Sequence, residues 1–252
     1  MIVNTEEEYQ GIQQANEAVG KVLREMKLRA RPGMSTLELD QIGFELLKQY
    51  GARSAPKKDY DFPGHTCISL NQEACHGIPK ADRILKEGDL VNIDVSAERN
   101  GFYGDNGSSF ILGEDHQNLQ SLVDASLDIL LLALRKIKPG IKIAAIGGYI
   151  EKLAKARKFA VVKNICGHGI GRRLHEEPTE IPCYRDRYNK ERFRKNSVIA
   201  VETFISTKAT FVHQASDGWT LQPQDDSYVA QHEHTVIVRD NGVEILTASN
   251  GF

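Results

Sequence analysis

The stretch GDLVNIDVSAERNGFYGDNGSSFIL, residues 88–112, predicts two long antiparallel strands joined by a tight turn at Arg99-Asn100-Gly101. Side chains alternate along a strand, so the odd-numbered apolar residues of Val91–Val95 face one side and Asp94 faces the other. An apolar face suits a protein core, whereas a polar face that carries an aspartate among buried strands needs a partner. The stretch therefore predicts a β-hairpin with a chemically active polar face.

Asp105 follows Asp94 by 11 residues, across the predicted turn. This spacing brings the two carboxylates together on neighbouring strands if both point to the polar face. Two adjacent carboxylates repel each other unless a proton or a cation lies between them. A solvated position near the hairpin tip is the alternative for Asp105. The pair is thus the first indication of a cation site.

The elements around this hairpin predict an α+β chain. Capping motifs at Thr5 and Ser35 begin two helices, and Pro32-Gly33 separates them. Strands follow, and the second half repeats the order, with Pro139-Gly140 between its helices. The predicted elements are helices to about residue 30, over 36–50, 118–137 and 143–158, strands over 66–71, 90–97, 102–112, 159–164 and 197–207, and a last hairpin around 240–242.

Two sequence matches support a duplication. Pro32-Gly33 and Pro139-Gly140 lie 107 residues apart, and residues 87–94 align with residues 195–202 at an offset of 108. Two fused copies that face each other explain both matches, and chance similarity is the alternative because the identities are few. We expect a single domain whose halves share one sheet and a central cleft, with approximate bounds of 1–113 and 114–252 within residues 1–252.

Glu202 and Glu233 extend the candidate site. Glu202 aligns with Asp94 in the repeat, and both glutamates lie in apolar runs that predict strands. Because side chains alternate, Glu233 points into the cleft only if His232 and His234 point away from it. We therefore predict one ligand from this strand and packing roles for its two histidines.

His168 lies in the sequence Gly167-His168-Gly169-Ile170-Gly171, which predicts a glycine-rich loop. Glycines permit close backbone approach and positive φ, and both suit a ligand on a tight loop. The phosphate-binding patterns GxGxxG and GxxxxGK(S/T) are absent, so this loop is not a phosphate cradle. A lone histidine is more often structural, but four candidate carboxylates favour a ligand here.

These residues together form a set of four carboxylates and one imidazole, namely Asp94, Asp105, His168, Glu202 and Glu233. Such a set suits a pair of Mn²⁺, Fe²⁺, Co²⁺ or Zn²⁺ ions. Four carboxylates carry a charge of −4, which two divalent ions balance. In a two-metal site the ions activate a water molecule and polarise the scissile carbonyl, so the set predicts a hydrolase.

Composition narrows the class of protein. The net charge is −2 and there is no long basic run, so we expect no nucleic-acid partner. The acidic start does not resemble a secretory signal, and the longest apolar run, 129–134, is too short to cross a bilayer. The four cysteines form no CxxC pair, which favours free thiols in a reducing cytoplasm over a thiolate zinc site.

Several longer motifs resemble the type I methionine aminopeptidases of the bacterial short form, in the pita-bread metallopeptidase family, over nearly the whole chain. The matching segments are Phe62–Ser69, Cys75–Pro79, Gly88–Asp94, Gly101–Asp105, Gly167–Arg172 and His234–Val236. The resemblance implies the pita-bread fold, whose halves are related by a pseudo-twofold axis and whose curved antiparallel sheet is covered by helices.

The resemblance also implies residue roles. It makes the five residues above the metal ligands, with Asp105 and Glu233 bridging two ions, and Glu202 also a proton shuttle. His76 matches the histidine that contacts the substrate backbone or amine, and His175 matches the one that hydrogen-bonds the scissile carbonyl or the tetrahedral intermediate. The residues implied to line the methionine pocket are Phe62, Cys67, Leu174 and Trp219.

The chain departs from the family pattern at four positions. Thr203 replaces a proline, Asn106 a threonine, His232 an apolar residue and Leu174 a phenylalanine. None of these changes removes a ligand. We expect the changes at 106, 203 and 232 to alter metal preference or rate rather than to abolish activity.

The resemblance implies a metal-dependent enzyme that removes the initiator methionine from nascent peptides with a small second residue. A prolidase or Xaa-Pro aminopeptidase is one alternative, although those enzymes typically carry an extra N-terminal domain. A non-catalytic binding module on the same fold is the other, although such relatives have usually lost ligands. We further expect a cytoplasmic monomer that contacts the ribosome transiently.

Overall fold

The structure, a computed structural model, describes residues 1–252. Its helices are α1 Glu6–Arg29, α2 Thr36–Gln49, α3 Ala55–Tyr60, α4 Gln120–Leu134 and α5 Ile143–Ala156. Its strands are β1 Arg53–Ser54, β2 Cys67–Leu70, β3 Leu90–Arg99, β4 Phe102–Ile111, β5 Ala160–Val161, β6 Cys166–Gly169, β7 Glu176–Pro182, β8 Val198–Ser206, β9 His213–Gln214, β10 Leu221–Gln222, β11 Val229–Arg239 and β12 Gly242–Ile245. No helix has a stretch that is both long and apolar enough to span a bilayer.

The predicted helix starts are confirmed. The Thr5 side chain accepts a hydrogen bond from the backbone N–H of Glu8 at the start of α1. Ser35 and Glu38 form a complete capping box at the start of α2. These contacts satisfy backbone donors that a helix terminus otherwise leaves unpaired, so the local sequence fixes where each helix begins.

One large antiparallel sheet carries the site. Its strands lie in the order β1-β3-β4-β11-β8-β6-β7, and the predicted hairpin forms β3 and β4, with Asn100 and Gly101 at positive φ in the turn. The central four strands, β3-β4-β11-β8, are symmetric in order: the first two come from the N-terminal part of the chain and the last two from the C-terminal part. This arrangement brings strands from both ends of the chain to one surface.

The helices pack on the sheet in an order that mirrors the order of the strands. α1 packs on β3 and β4, and α4 packs on β8 and β11. Two large apolar clusters lie under them, one joining α1 and α2 to the first strands and one joining α4 and α5 to the later strands. The boundary between the halves near residue 113, and the assignment of the chain to one domain, stay predictions.

Several segments differ from the predicted elements, and four strands were not predicted, namely Arg53–Ser54, Glu176–Pro182, His213–Gln214 and Leu221–Gln222. The strand predicted over 159–164 is limited to Ala160–Val161, and the short helix Ala55–Tyr60 was not predicted. The helix begins at Ser54, whose side chain accepts from the backbone N–H of Lys57, and Pro56 lies in its first turn. A six-residue helix has too few turns to produce a periodic apolar pattern, which explains why it was missed.

Candidate metal centre and active site

All the predicted site residues line one cavity of about 480 Å³ in the sheet surface. Five are the candidate ligands, two are the histidines His76 and His175, and four are the candidate pocket residues. They come from both ends of the chain, and the cavity also contains residues that were not predicted. The predicted set is Phe62, Cys67, His76, Asp94, Asp105, His168, Leu174, His175, Glu202, Trp219 and Glu233.

The first pair of carboxylates lies on β3 and β4. In the register of this hairpin Asp94 faces Gly107 and Ser96 faces Asp105, so the two aspartates lie diagonally across the strands. The Ser96 hydroxyl donates to Asp105 Oδ1 at 2.7 Å. Asp105 is buried, which excludes the solvated hairpin tip.

The second pair lies on β8 and β11, where Glu202 and Glu233 are directly opposite each other. Like charges at such positions repel, so something must hold them there. Gln231 helps to hold the two glutamates together, because its amide Nε2 donates to Glu202 Oε2 at 3.3 Å and to Glu233 Oε2 at 3.2 Å. Asn92 in turn donates to Gln231 Oε1 at 2.8 Å.

His168 completes the set from β6. Its Nδ1 lies 3.0 Å from the carbonyl oxygen of Gly169, and its Nε2 lies 3.7 Å from Asp105 Oδ2. We assign the ring proton to Nδ1, which donates to that carbonyl, so the lone pair of Nε2 faces the carboxylates. Burial lowers the pKa of His168 to about 3, so the imidazole is neutral and able to bind a metal.

The loop predicted around His168 is wrong, because residues 166–169 form a strand. Gly167 and Gly169 serve close packing, and of the three glycines only Gly171, after the strand, has a positive φ. A Cβ on Gly167 would lie 2.5 Å from the Ala200 carbonyl oxygen, and one on Gly169 would overlap the carbonyl oxygen of Glu177. Only glycine fits at these two positions of β6, which lies between β7 and β8. This close packing places His168 in the sheet.

The surroundings of the four carboxyl groups disfavour their ionised forms. Burial raises the pKa of Asp105 to about 6 and that of Glu202 to about 8. Burial and the neighbouring carboxylates raise the pKa of Asp94 and that of Glu233 well above their usual values. No Lys or Arg lines the cavity. The site is therefore built for positive charge that the protein itself does not supply.

The donor groups fit divalent metal ions. One donor atom each from Asp105, His168 and Glu233 lie within 4.8 Å of one another, and all three side chains are buried. Asp94 Oδ1 is buried without a hydrogen-bond partner, as expected of a ligand atom. Oxygen donors with one imidazole are typical of hard to borderline divalent metals rather than of thiolate sites.

His76 reaches the cavity through a strained backbone. Its φ is +57°, a left-handed conformation that non-glycine residues adopt mainly where the surroundings enforce it. The next residue, Gly77, is enclosed, because a Cβ there would overlap the backbone carbonyl of Ile68. The Gly77 N–H donates to Ser69 Oγ at 3.0 Å. These contacts hold the His76 imidazole at the edge of the cleft.

We expect Gly77→Ala to lower the free energy of unfolding by about 1–3 kcal/mol, because the added Cβ forces the backbone away from Ile68. We also expect kcat/KM to fall by about a hundredfold, since His76 moves with it. Chemical denaturation and peptide kinetics measure the two effects. Gly140→Ala is the control, because its positive φ makes alanine unfavourable but no atom lies near the added Cβ. Equal activity losses in both variants would contradict a role for His76.

The apolar end of the cavity is lined by Phe62, Cys67 and Trp219, and Ile78 packs against them. The Phe62 and Trp219 rings meet edge to face at 5.1 Å between centroids. Burial raises the pKa of Cys67 well above its usual value, so the thiol stays protonated and acts as an apolar wall. Leu174 also lines the cavity but packs in a different cluster, with Ile170 and Val198.

Three of the four positions that depart from the family pattern, Asn106, Thr203 and His232, lie behind the carboxylates, and the fourth, Leu174, lines the cavity. His232 and His234 point away from the cleft and pack against Phe252, with His232 edge to face at 5.3 Å. Thr203 hydrogen-bonds Ser126, with 3.0 Å between the two hydroxyl oxygens. Asn106 Oδ1 accepts from Asn250 at 3.0 Å. Both histidines thus point in the direction that strand alternation predicts.

Gln231 contacts two candidate ligands but was not among the predicted site residues. It is fully buried and shares a strand face with Glu233, two residues away. Strand alternation places Gln231 on the same face as Glu233, so its orientation toward the cleft could have been predicted from the sequence. Its amide holds one oxygen of each glutamate and leaves the other oxygens free for a cation.

Comparison with known proteins agrees with this geometry. The sequence matches metallopeptidase family M24 over residues 10–240. It is 47% identical over 247 residues to methionine aminopeptidase 2 of Bacillus subtilis (strain 168), covering 98% of this chain and 99% of that protein. It is 38% identical over 246 residues to methionine aminopeptidase of Escherichia coli (strain K12), covering 97% of this chain and 93% of that protein.

Solved structures confirm the predicted pita-bread fold. Methionine aminopeptidase from Thermotoga maritima superposes with a TM-score of 0.93 at 34% identity, covering 98% of this chain and 99% of that one. Prolidase from Pyrococcus furiosus shares the fold with a TM-score of 0.77 at 21% identity, and this chain covers 65% of its length. Family M24 enzymes use divalent metals, in agreement with the buried donor set. The chain belongs to metallopeptidase family M24 and, within it, to the methionine aminopeptidases.

Proposed function

We propose that this enzyme removes the N-terminal methionine from peptides whose second residue is small. The observation that carries the proposal is the single cavity that joins the buried donor set, two histidines and an apolar end. The relatives named above are methionine aminopeptidases over nearly the full chain. Asp94, Asp105, His168, Glu202 and Glu233 would hold two divalent ions of Mn, Fe, Co or Zn, whose charge would balance the four carboxylates.

Bound metal ions would supply Lewis-acid activation of the attacking water and of the scissile carbonyl. The protein supplies the remaining steps. Glu202 keeps Oε2 on the Gln231 amide, which leaves Oε1 to accept a proton from the water and return it to the leaving amine. His175 donates a hydrogen bond to the carbonyl oxygen as negative charge develops there. His76 binds the substrate backbone or its amine.

The methionine side chain would lie against Phe62, Cys67 and Trp219. Two aromatic rings at right angles leave an apolar space between an edge and a face, and a protonated thiol adds a polarizable wall. A thioether makes favourable contacts with such rings. The pocket is therefore suited to methionine more than to a charged or branched first residue.

A peptide assay tests this proposal directly. Enzyme loaded with Mn²⁺, Fe²⁺ or Co²⁺ is incubated with Met-Ala-Ser, Met-Glu-Ser and Ala-Pro. We expect methionine release from Met-Ala-Ser, much slower release from Met-Glu-Ser and none from Ala-Pro. Turnover of Ala-Pro without Met-Ala-Ser would assign the chain a prolidase-like activity instead, and no turnover of any peptide would favour a binding module.

The cellular setting belongs to the same proposal. An enzyme that trims nascent chains works in the cytoplasm and meets its substrates as they leave the ribosome, so we propose a transient contact there. We also propose that the chain acts as a monomer, because every predicted site residue comes from one chain. Sedimentation of the metal-loaded enzyme checks the second point.

A further inference from the structure

Tyr60 makes a contact that the proposed mechanism does not yet use. Its phenol oxygen lies 2.6 Å from Nδ1 of His175, and the two ring centroids are 5.5 Å apart. On its other side the His175 ring lies 4.2 Å, centroid to centroid, from the ring of His168. His175 is thus held between a phenol and a candidate metal ligand.

The surroundings of α3 fix the position of Tyr60. The phenol group belongs to the last residue of this helix, and the next residue, Asp61, ends it with a left-handed φ of 57°. Lys58 and Asp59 lie one turn or less away and bond to each other and to the Tyr103 hydroxyl. These contacts attach the end of α3 to β4, so Tyr60 is placed by the fold and not by a flexible loop.

The hydrogen bond between Tyr60 and His175 has a preferred direction. Burial raises the pKa of Tyr60, so the phenol keeps its proton at neutral pH. A phenol is a strong donor and a weak acceptor, because its oxygen lone pair is delocalised into the ring. The unprotonated nitrogen of a neutral imidazole is a strong acceptor. The favoured bond therefore runs from the Tyr60 hydroxyl to Nδ1 of His175.

A hydrogen bond accepted at Nδ1 of His175 determines whether Nε2 carries the ring proton. In a neutral imidazole one nitrogen carries the proton and the other accepts, so a bond from Tyr60 places the proton on Nε2. Nε2 lies on the opposite edge of a ring that lines the cavity. An N–H there is the donor that the scissile carbonyl requires. The other tautomer would present a lone pair to the carbonyl oxygen and repel it.

We propose that Tyr60 is a positioning residue that holds His175 in its Nε2–H tautomer through the hydrogen bond to Nδ1. The proposal rests on the proposed function, because it assigns His175 the task of donating to the substrate carbonyl. Tyr60 itself touches no reacting atom in this account. The alternative is that Tyr60 only forms part of the cavity wall.

Tyr60→Phe separates these two roles, because it keeps the ring and removes only the hydroxyl group. We expect kcat on Met-Ala-Ser to fall about 3- to 10-fold, the loss of one ordinary hydrogen bond, with KM changed less than about twofold. The control is Tyr188→Phe, at an exposed tyrosine outside the cavity, which should leave both constants unchanged. Thermal unfolding confirms that both variants fold.

A double-mutant cycle with His175→Gln tests whether Tyr60 acts through that histidine. We expect Tyr60→Phe to have no further effect when His175 is already glutamine, because the two residues then form one unit. A wall residue would instead cause the same loss in both backgrounds. Additive losses would therefore overturn the proposal, and an inactive wild type on Met-Ala-Ser would overturn the proposed function itself.

Side-chain ¹⁵N NMR reads the tautomer without any turnover. Metal-free and zinc-loaded proteins are labelled on histidine, and the His175 signals are assigned from their loss in His175→Gln. We expect the proton on Nε2 in the wild type and a mixture of tautomers in Tyr60→Phe. A wild-type proton on Nδ1, or the same tautomer in both proteins, would overturn the proposal.

Discussion

Glu233→Gln should reduce kcat/KM on Met-Ala-Ser by about a thousandfold. The substitution keeps the shape of the side chain but removes a negative charge that would help to hold the metal ions. Metal polarisation supplies several kcal/mol of catalysis, and each 1.36 kcal/mol is a factor of ten in rate. Metal content after dialysis should fall in parallel, which elemental analysis measures.

The same variant should be more stable than the wild type when both are metal-free. Glu233 lies opposite Glu202, and burial and the nearby carboxylates raise its pKa well above the usual value. A neutral amide removes that cost, so the free energy of unfolding should rise at pH 8. Glu45→Gln on the exposed face of α2 is the control and should change neither quantity. A Glu233→Gln protein that keeps its activity would exclude this residue as a ligand.

Removal of the metals should destabilise the enzyme, and the loss should grow as pH rises from about 6.5 to 8. In this window the unfolded chain has ionised carboxylates, whereas the metal-free native state keeps Glu202 protonated, because burial raises its pKa from 4.5 to about 8. The native state then binds more protons than the unfolded state, so stability falls with pH. Below about 6.5 the opposite effect of His168 begins, because its pKa is lowered to about 3.

Calorimetry at several pH values measures this effect. Each carboxyl that stays protonated only in the native state should cost about 1.4 kcal/mol per pH unit. Adding Mn²⁺ at a hundred times its dissociation constant should restore about 2.7 kcal/mol per ion, or about 5–10 °C in Tm. Metal-free stability that stays flat or rises between pH 6.5 and 8 would contradict the buried, uncompensated carboxylates.

Strand alternation explains why so much of the site could be predicted. Asp94 and Glu233 lie on long strands with clear apolar and polar faces, and a two-residue period fixes where each side chain points. The same rule placed His232 away from the cleft. Turn residues such as Asn100 and Gly101 fixed the register of the first hairpin, and with it the position of Asp105.

Other features depend on contacts between distant segments. Tyr60 and His175 are 115 residues apart and meet only because α3 lies over the end of β4 and the cavity. The strand at His168 was mistaken for a loop. Its glycines are required because the neighbouring strands pack very close to them, and the local sequence does not show how close those strands lie. Gln231 was visible by alternation, but its partners became known only from the pairing of β8 with β11.

In the proposed mechanism the metals that perform the cleavage are held by five side chains, Asp94, Asp105, His168, Glu202 and Glu233. Anomalous X-ray diffraction from crystals grown with Mn²⁺ tests it most directly. We expect two manganese peaks in the cavity, both ligated by these residues. Manganese at other residues, or no peak in the cavity of an enzyme that still releases methionine, would contradict it.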